Sequence, residues 1–310
     1  MITKAIIPLA GMATRHLPLS KVVPKEFLPL ADKPLLHYVV EELKETGVKE
    51  IIFVVNANKK IVADYFRRAP QIEKVLEERK AGRSVSSSRE AAKHEDILES
   101  LSEIEKLADG LTFSYISDKS LGDGHAVLQA RKLVGDEPCF VLYPDDIIVS
   151  QPPCSAQLAQ VFRTTDRPVI ALFEVPTEKL FMYGVVDPEK IASRLCKIKN
   201  IIEKPVVPVG KSPKEVLPSN LVIAGRSILT PEVFDYLKKA KPNKQKEISL
   251  SETFAQMVKD GKIVYGYQCT GRWWECGNKE DWFKSFVYFA AHHPQFGKEV
   301  RKFIKEEKLT

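Results

Sequence analysis

Three cations on one stiff loop are the first chemistry this chain offers. Residues 11–29 read G-M-A-T-R-H-L-P-L-S-K-V-V-P-K-E-F-L-P and carry Arg15, Lys21 and Lys25. Arg15 supplies a forked guanidinium and each lysine a compact ammonium, the donor set that holds a polyphosphate and neutralises a leaving pyrophosphate. Pro18, Pro24, Pro29 and Pro34 keep most of the segment out of helix and stiffen it. A dinucleotide fingerprint needs G-x-G-x-x-G and an acid at the end of the second strand, whereas this loop has one glycine and Asn56 stands at that strand end. A Walker A loop needs G-K-[ST] opening a helix and is also missing.

Acidic and glycine-rich stretches add further candidates. Asp145 and Asp146 close the apolar run CFVLYP, where hard carboxylate oxygens suit Mg2+, although a D-D pair also serves as a turn or cap. Gly122 and Gly124, just before the apolar segment AVLQA, let backbone approach a flat base or a phosphate at a helix start. Glu203-Lys204-Pro205 follows IKNII, with Pro205 ending regular strand pairing. No Ser-His-Asp or Cys-His arrangement accompanies these groups, and the five cysteines contain no C-x-x-C pair, so neither a disulfide framework nor a zinc site is expected.

The elements that must carry these residues follow from the apolar pattern. Residues 4–10 and 50–55 are apolar runs that read as buried strands. Between them, Leu35, Leu36, Val39, Val40 and Leu43 lie at helical spacing over 35–46, with Gly47 as the stop. Residues 139–143 and 168–174 read as further strands, and 124–132 as a helix. Such alternation predicts an α/β fold with a mostly parallel central sheet. Residues 71–109 are rich in Glu, Lys, Arg and Ser and read as a surface helical insertion with an elbow at SVSSS, 84–88. Residues 274–310, with Trp282, Phe283, Phe286, Val287 and Phe289 among many charges, read as a C-terminal extension of amphipathic helices that pack or pair with a second subunit.

Composition bounds the function. The chain has 310 residues, 44% of them hydrophobic, enough for one large domain spanning 1–310. No stretch reaches the roughly 18 apolar residues of a membrane span, and the start MITKAIIPLAG lacks the pattern of a secretory signal, so a cytoplasmic protein without membrane contact is expected. The formal charge is +6, but basic residues are interleaved with 41 acids, which favours small anionic substrates over nucleic acid.

The loop at 11–29 resembles the signature G-x-G-T-R-x-x-P-x-[ST]-K-x-x-P-K-E-x-L-P of the sugar nucleotidyltransferases, most closely the bacterial-type UTP:glucose-1-phosphate uridylyltransferases. The resemblance continues in order through L-G-D-G-H-A-V (121–127), P-D-D (144–146), Y-G-V-V (183–186), E-K-P (203–205), P-S-N-L-V-I-A-G-R (218–226), E-I-S-L-S-E (247–252) and C-G-N-K (276–279). It implies a Rossmann-like nucleotidyltransferase fold and formation of UDP-glucose and pyrophosphate from UTP and glucose 1-phosphate, by a homo-oligomer using Mg2+. It implies roles for Arg15, Lys25 and Lys204 in catalysis, and for Leu9, Ala10, Gly11, Gly122 and Gly124 in holding the nucleotide. Gly184, Glu203, Lys204 and Asn220 would take the sugar phosphate, and Asp145 with Glu275 the metal.

Three positions depart from that pattern. Ala13 replaces the second glycine of the loop. Tyr115-Ile116-Ser117-Asp118 stands where the family carries a base-reading glutamine. Glu275 replaces an aspartate and is one methylene longer. A sugar-nucleotide-binding regulatory subunit, or the same chemistry with another nucleotide or sugar phosphate, is the alternative these departures raise.

Overall fold

The computed structural model describes residues 1–56, 60–81, 88–119, 121–208 and 210–308. They fall into two compact units, one built from 1–56 with 113–310 and the other from 57–112.

The larger unit is built on strands β1 (Lys4–Pro8), the short pair β2 (Pro29–Leu30) and β3 (Lys33–Pro34), β4 (Glu50–Val55) and β5 (Thr112–Ser117). There follow β6 (Cys139–Leu142), β7 (Asp146–Val149), β8 (Val169–Glu174), β9 (Gly184–Lys190) and β10 (Leu195–Glu203). The series closes with β11 (Leu221–Leu229), β12 (Tyr265–Gln268) and β13 (Arg272–Glu275). Nine of them form one sheet in the order β5-β4-β1-β6-β11-β8-β12-β10-β9, while β7 and β13 pair as a separate two-stranded ribbon.

Local expectations and structure agree closely at the strands that support the cation loop. β1 runs parallel to both β4 and β6, and Ile6 and Ile7 are fully buried, which explains the continuous apolar run. The predicted helix over 35–46 is the helix Leu35–Thr46, whose Leu35, Leu36, Val39, Val40 and Leu43 are buried. Gly47 ends it at φ 92°, a left-handed conformation cheap only for glycine, and its N–H closes on Leu43 and Lys44. The helix expected at 124–132 is broken in two, Asp123–Gln129 and Arg131–Val134.

The α/β expectation holds, with a sheet that is mixed in direction. β1, β4 and β6 are parallel, as are β8 and β12, but β11 runs against both β6 and β8 and β10 runs against β9 and β12. Apolar runs report burial on both faces and carry no information about direction. The β11–β8 pairing shifts register between Ile223 and Ser227. Such irregularities bend a strand and re-aim its side chains, and Gly225 and Arg226 lie in this one.

The smaller unit contains the helices Pro70–Ala81 and Ser88–Ala108, tied by Arg68, which pairs with both Glu73 and Glu105. Of the elbow expected at 84–88, residues 84–87 lie outside the described residues. After β13, Lys279–His292 and Gly297–Glu306 are helical. Trp282 turns inward and donates Nε1–H to the Pro29 carbonyl at 3.0 Å, whereas Phe283 and Val287 are exposed.

Candidate active site

The cation loop leaves β1 at Pro8, and the Leu9 amide donates to Val54 O at 2.7 Å, so buried Leu9 and Ala10 continue the line of the strand. Gly11 is exposed and faces open space. Ala13 adopts φ 52°, ψ 38°, a left-handed conformation that costs a non-glycine residue about 1 kcal/mol. It opens the short helix Thr14–His16, which sends His16 inward and leaves Arg15 in solvent. Lys21 is also exposed. Lys25 alone of the three cations is anchored, its Nζ donating to Asp145 Oδ2 at 2.7 Å with both side chains about four-fifths buried. Burial works against charge at each, but their mutual attraction outweighs it. The ammonium is held above its ordinary value and the carboxyl below.

Asp146 lies beside this pair in a different setting. Burial and the neighbouring Asp145 charge push its carboxyl up to about 7. It begins β7, and the ribbon register sets it opposite Glu275 on β13. Trp273 of the same ribbon donates Nε1–H to Asp146 Oδ1 at 2.7 Å. Gly225 is a glycine for this reason, since a Cβ there would sit 2.1 Å from Asp146 Oδ2. Glu275 accepts the hydroxyl hydrogen of Tyr183, and burial raises its pKa despite that bond.

Asp145 and Glu275 converge on Gly277. A Cβ at that position would lie 3.3 Å from Asp145 Oδ2 and 3.4 Å from Glu275 Oε1, so both carboxylates approach the space beside this residue, which has no side chain to fill it. Among the described residues no group of three or more His, Cys, Asp or Glu side chains forms a metal cage. Two carboxylates beside an open gap fit a hard divalent cation that completes its shell with phosphate and water oxygens.

Next to the ribbon is a cavity of about 180 Å³, with Tyr183, Gly184, Glu203, Ser251, Asp123 and Asp146 in its wall. Glu203 accepts from Ser251 Oγ at 2.7 Å, and a Cβ on Gly184 would sit 3.0 Å from Glu203 Oε2. Lys204 follows at φ 42°, with its N–H on Tyr183 O at 3.0 Å and its side chain 58% exposed. Asn220 is exposed just before β11 and bonds through its carbonyl to Val175 N–H, outside the cavity wall. Gly122, at φ 106°, and Gly124 pack against the 248–250 backbone, where a Cβ would meet Ile248 O at 2.4 and 3.0 Å respectively. These glycines are therefore needed for contact within the chain itself.

The structure thus brings together Lys25, Asp145 and Glu275, and separately Gly184 and Glu203, while Arg15, Lys204 and Asn220 stand in solvent. Sequence reasoning assigned no role to several groups that shape the site. Arg226 is 1% exposed and grips Glu42 Oε2 through Nε and Nη2, both at 3.0 Å, while Nη1 donates to the Tyr143 and Gly225 carbonyls. Glu42 Oε1 accepts the Ser155 N–H at 3.0 Å. This buried pair braces the main chain two residues before Asp145. Tyr143 donates its hydroxyl to Asp123. Asp118, at the departing stretch, has a fully buried side chain engaged by His125 Nδ1 at 2.6 Å. Tyr183, Arg226 and Ser251 all lie inside motifs that the resemblance flags, which is the signal that marked them.

The chain is similar to known proteins over nearly its whole length. The profile of the nucleotidyl transferase family matches residues 4–291. A UTP–glucose-1-phosphate uridylyltransferase of Staphylococcus haemolyticus is 38% identical over 306 residues, 98% of each chain. One from Staphylococcus epidermidis is 35% identical over the same share of both chains. Among solved structures, a UTP-bound UGPase from Acinetobacter baumannii is similar at a TM-score of 0.83 and 30% identity, covering 99% of each chain. A UDP-glucose pyrophosphorylase complexed with UDP-glucose is similar at 0.79 and 31%, covering 94% of this chain and 100% of the other.

Proposed function

The chain belongs to the nucleotidyl transferase family, and on that premise we propose that it is a UTP:glucose-1-phosphate uridylyltransferase, forming UDP-glucose and pyrophosphate. The observation that carries the reading is the meeting of Lys25 and Asp145 at 2.7 Å beside the Glu275 carboxylate and the Glu203-lined cavity. It supports reading Lys25 as a cation for phosphate, the two carboxylates as metal ligands and the recess as a sugar site, at the kind of sheet edge where open α/β sheets bind ligands.

The reaction is in-line attack of a sugar-phosphate oxygen on the α-phosphorus of UTP. A phosphate oxygen is already anionic near neutral pH, so no general base is required. The chain's task is to align two polyanions and to stabilise charge on the leaving pyrophosphate. Arg15 and Lys25 face the triphosphate, and Leu9, Ala10 and Gly11 carry the nucleotide with the loop of Gly122 and Gly124. Gly184, Glu203 and Asn220 receive the hexose, Glu203 by accepting from its hydroxyls, and Lys204 holds its phosphate. Asp145 and Glu275 would hold Mg2+, which when bound supplies positive charge against the phosphates. A cytoplasmic location and a homo-oligomeric state belong to the same reading and rest on the sequence and its resemblance. No described helix is long and apolar enough to cross a membrane.

The test is pyrophosphate release from glucose 1-phosphate and Mg2+ with UTP, dTTP, CTP, ATP or GTP in turn, beside a Lys25→Ala control. Turnover with UTP that is lost in the control is the expected result. Turnover with another nucleotide alone replaces the substrate and keeps the chemistry. Binding of UDP-glucose without turnover of any nucleotide makes the chain a binding subunit.

A further inference from the structure

One residue touches both ends of the site. Tyr183 caps the short helix Thr177–Met182 in extended conformation, and its carbonyl accepts the Lys204 N–H at 3.0 Å. The next residue, Gly184, pairs with Glu203 across β9 and β10. Through its main chain, Tyr183 therefore fixes the segment that presents Glu203 and Lys204. Its side chain points the other way along the site. The ring packs on Trp273 at 5.2 Å between centroids, Trp273 in turn holds Asp146, and the Tyr183 hydroxyl donates to Glu275 Oε2.

We propose that Tyr183 is a positioning residue that couples the sugar-phosphate end of the site to the metal-holding carboxylate, keeping Glu275 in place through its hydroxyl and Lys204 through its carbonyl. The inference rests on the uridylyltransferase reading and deepens it. Glu275 has one more rotatable bond than aspartate, so fixing its carboxylate sacrifices more side-chain freedom. A hydroxyl donor on Oε2 restrains that freedom and leaves Oε1 directed at the Gly277 gap. Lys204 sits at φ 42°, a conformation that a lysine holds only when its surroundings impose it. A displacement of Lys204 toward a bound phosphate is passed to the Tyr183 carbonyl, and by the same residue to Glu275. In this proposal the displacement seats Glu275 for the metal, and reciprocity then requires sugar phosphate and metal to strengthen each other's binding by the same factor.

The test uses Tyr183→Phe, which keeps the ring on Trp273 and the main chain while removing the hydroxyl. Mn2+ affinity is measured by calorimetry with and without glucose 1-phosphate, alongside thermal melting. The unaltered protein is expected to bind Mn2+ more tightly when glucose 1-phosphate is present. In Tyr183→Phe, Mn2+ affinity in the presence of glucose 1-phosphate falls about tenfold, the scale for losing an outer partner of a metal ligand, and the response to the sugar phosphate shrinks. In a Glu275→Gln background the same change adds nothing. Unchanged Mn2+ affinity and response in Tyr183→Phe overturn the proposal, as does an effect that persists undiminished with Gln at 275. An unaltered protein whose Mn2+ affinity ignores glucose 1-phosphate overturns it too. Absence of turnover with every nucleotide instead overturns the uridylyltransferase reading, so the two failures are distinguishable.

Discussion

The loop after β1 and the β7–β13 ribbon contribute to one site by opposite means. The loop gathers Arg15, Lys21 and Lys25 within eleven positions, leaves two of them in solvent, and combines proline stiffening with the buried anchors His16, Glu26 and Leu28. The ribbon region brings Asp146, Trp273, Glu275, Gly225 and Arg226 together from distant parts of the chain and holds them mostly buried. Arg15 and Lys21 keep their charge available to a ligand, whereas Lys25 and most charge at the ribbon already have partners in the fold, with Glu275 Oε1 left toward Gly277. The two regions should therefore fail differently, the loop through turnover and the ribbon through stability.

Removing the buried cation behind the ribbon is the severest test of that division. Arg226→Met leaves Glu42 8% exposed and without its charge partner. The expected loss is about 3–5 kcal/mol, the range for breaking one side of a buried ion pair, read from urea unfolding. Replacing both partners with apolar residues should recover only part of the loss, because it removes the unpaired charge but also the bonds to the Ser155 N–H and the Tyr143 and Gly225 carbonyls. A stable Arg226→Met protein with an ordinary unfolding midpoint would break the comparison.

Arg15→Ala probes the other side. Turnover should fall about 10²- to 10³-fold, as for loss of one preorganised donor to developing charge. Stability should stay within about 0.5 kcal/mol, the range for exposed substitutions. A shifted unfolding midpoint would show that the loop carries structure as well as ligand contacts.

Glycines sharpen the contrast at smaller scale. Gly225→Ala forces a Cβ to within 2.1 Å of Asp146 Oδ2 and 2.9 Å of the Tyr143 ring. Relief requires the carboxylate or the strand to shift, with an expected loss of about 1–3 kcal/mol from overpacking. At Gly11 no atom lies within 4 Å of the added Cβ, and Gly11→Ala should leave the unfolding curve where it is. Parallel urea titrations of the two variants decide the matter.

What the sequence revealed follows the same line. The helix Leu35–Thr46 and its Gly47 stop were legible because spacing and a left-handed cap are local properties. The meeting of Lys25 and Asp145 involves two residues that short motifs single out, though no local pattern joins them. Strand direction was not legible, since Leu221–Leu229 looks equally apolar whether it runs with or against β6. Nor were the pairs Trp273–Asp146 and Arg226–Glu42, separated by 127 and 184 positions, which no local pattern joins. The need for glycine at 122 came from Ile248 in another part of the chain. The motifs marked where side chains mattered, but the fold decided which of them meet.

The smallest prediction tests the comparison within a single helix. Glu41 and Glu42 are neighbours, yet Glu42 is buried against Arg226 while the Glu41 side chain is 42% exposed and pairs locally with His37 at 3.0 Å and Lys33 at 3.1 Å. Burial works against charge on Glu41, but the hydrogen bonds and charges of His37 and Lys33 outweigh it and hold the carboxyl below its ordinary value of 4.5. A pKa lowered on folding gives stability that is present above the unfolded value and is lost as pH falls through the folded one. The unaltered protein should therefore lose stability below about pH 4.5, where Glu41→Gln has a flatter dependence. The difference should stay under about 1 kcal/mol, because exposed ion pairs are weak, and it should shrink in high salt, where screening shortens the reach of surface charge. Urea midpoints of both proteins from pH 3 to 6, at low and high salt, read the effect directly. An acid limb that is equally steep in both would move the loss to the buried carboxylates of the ribbon, and local pairing on this helix would then contribute nothing measurable.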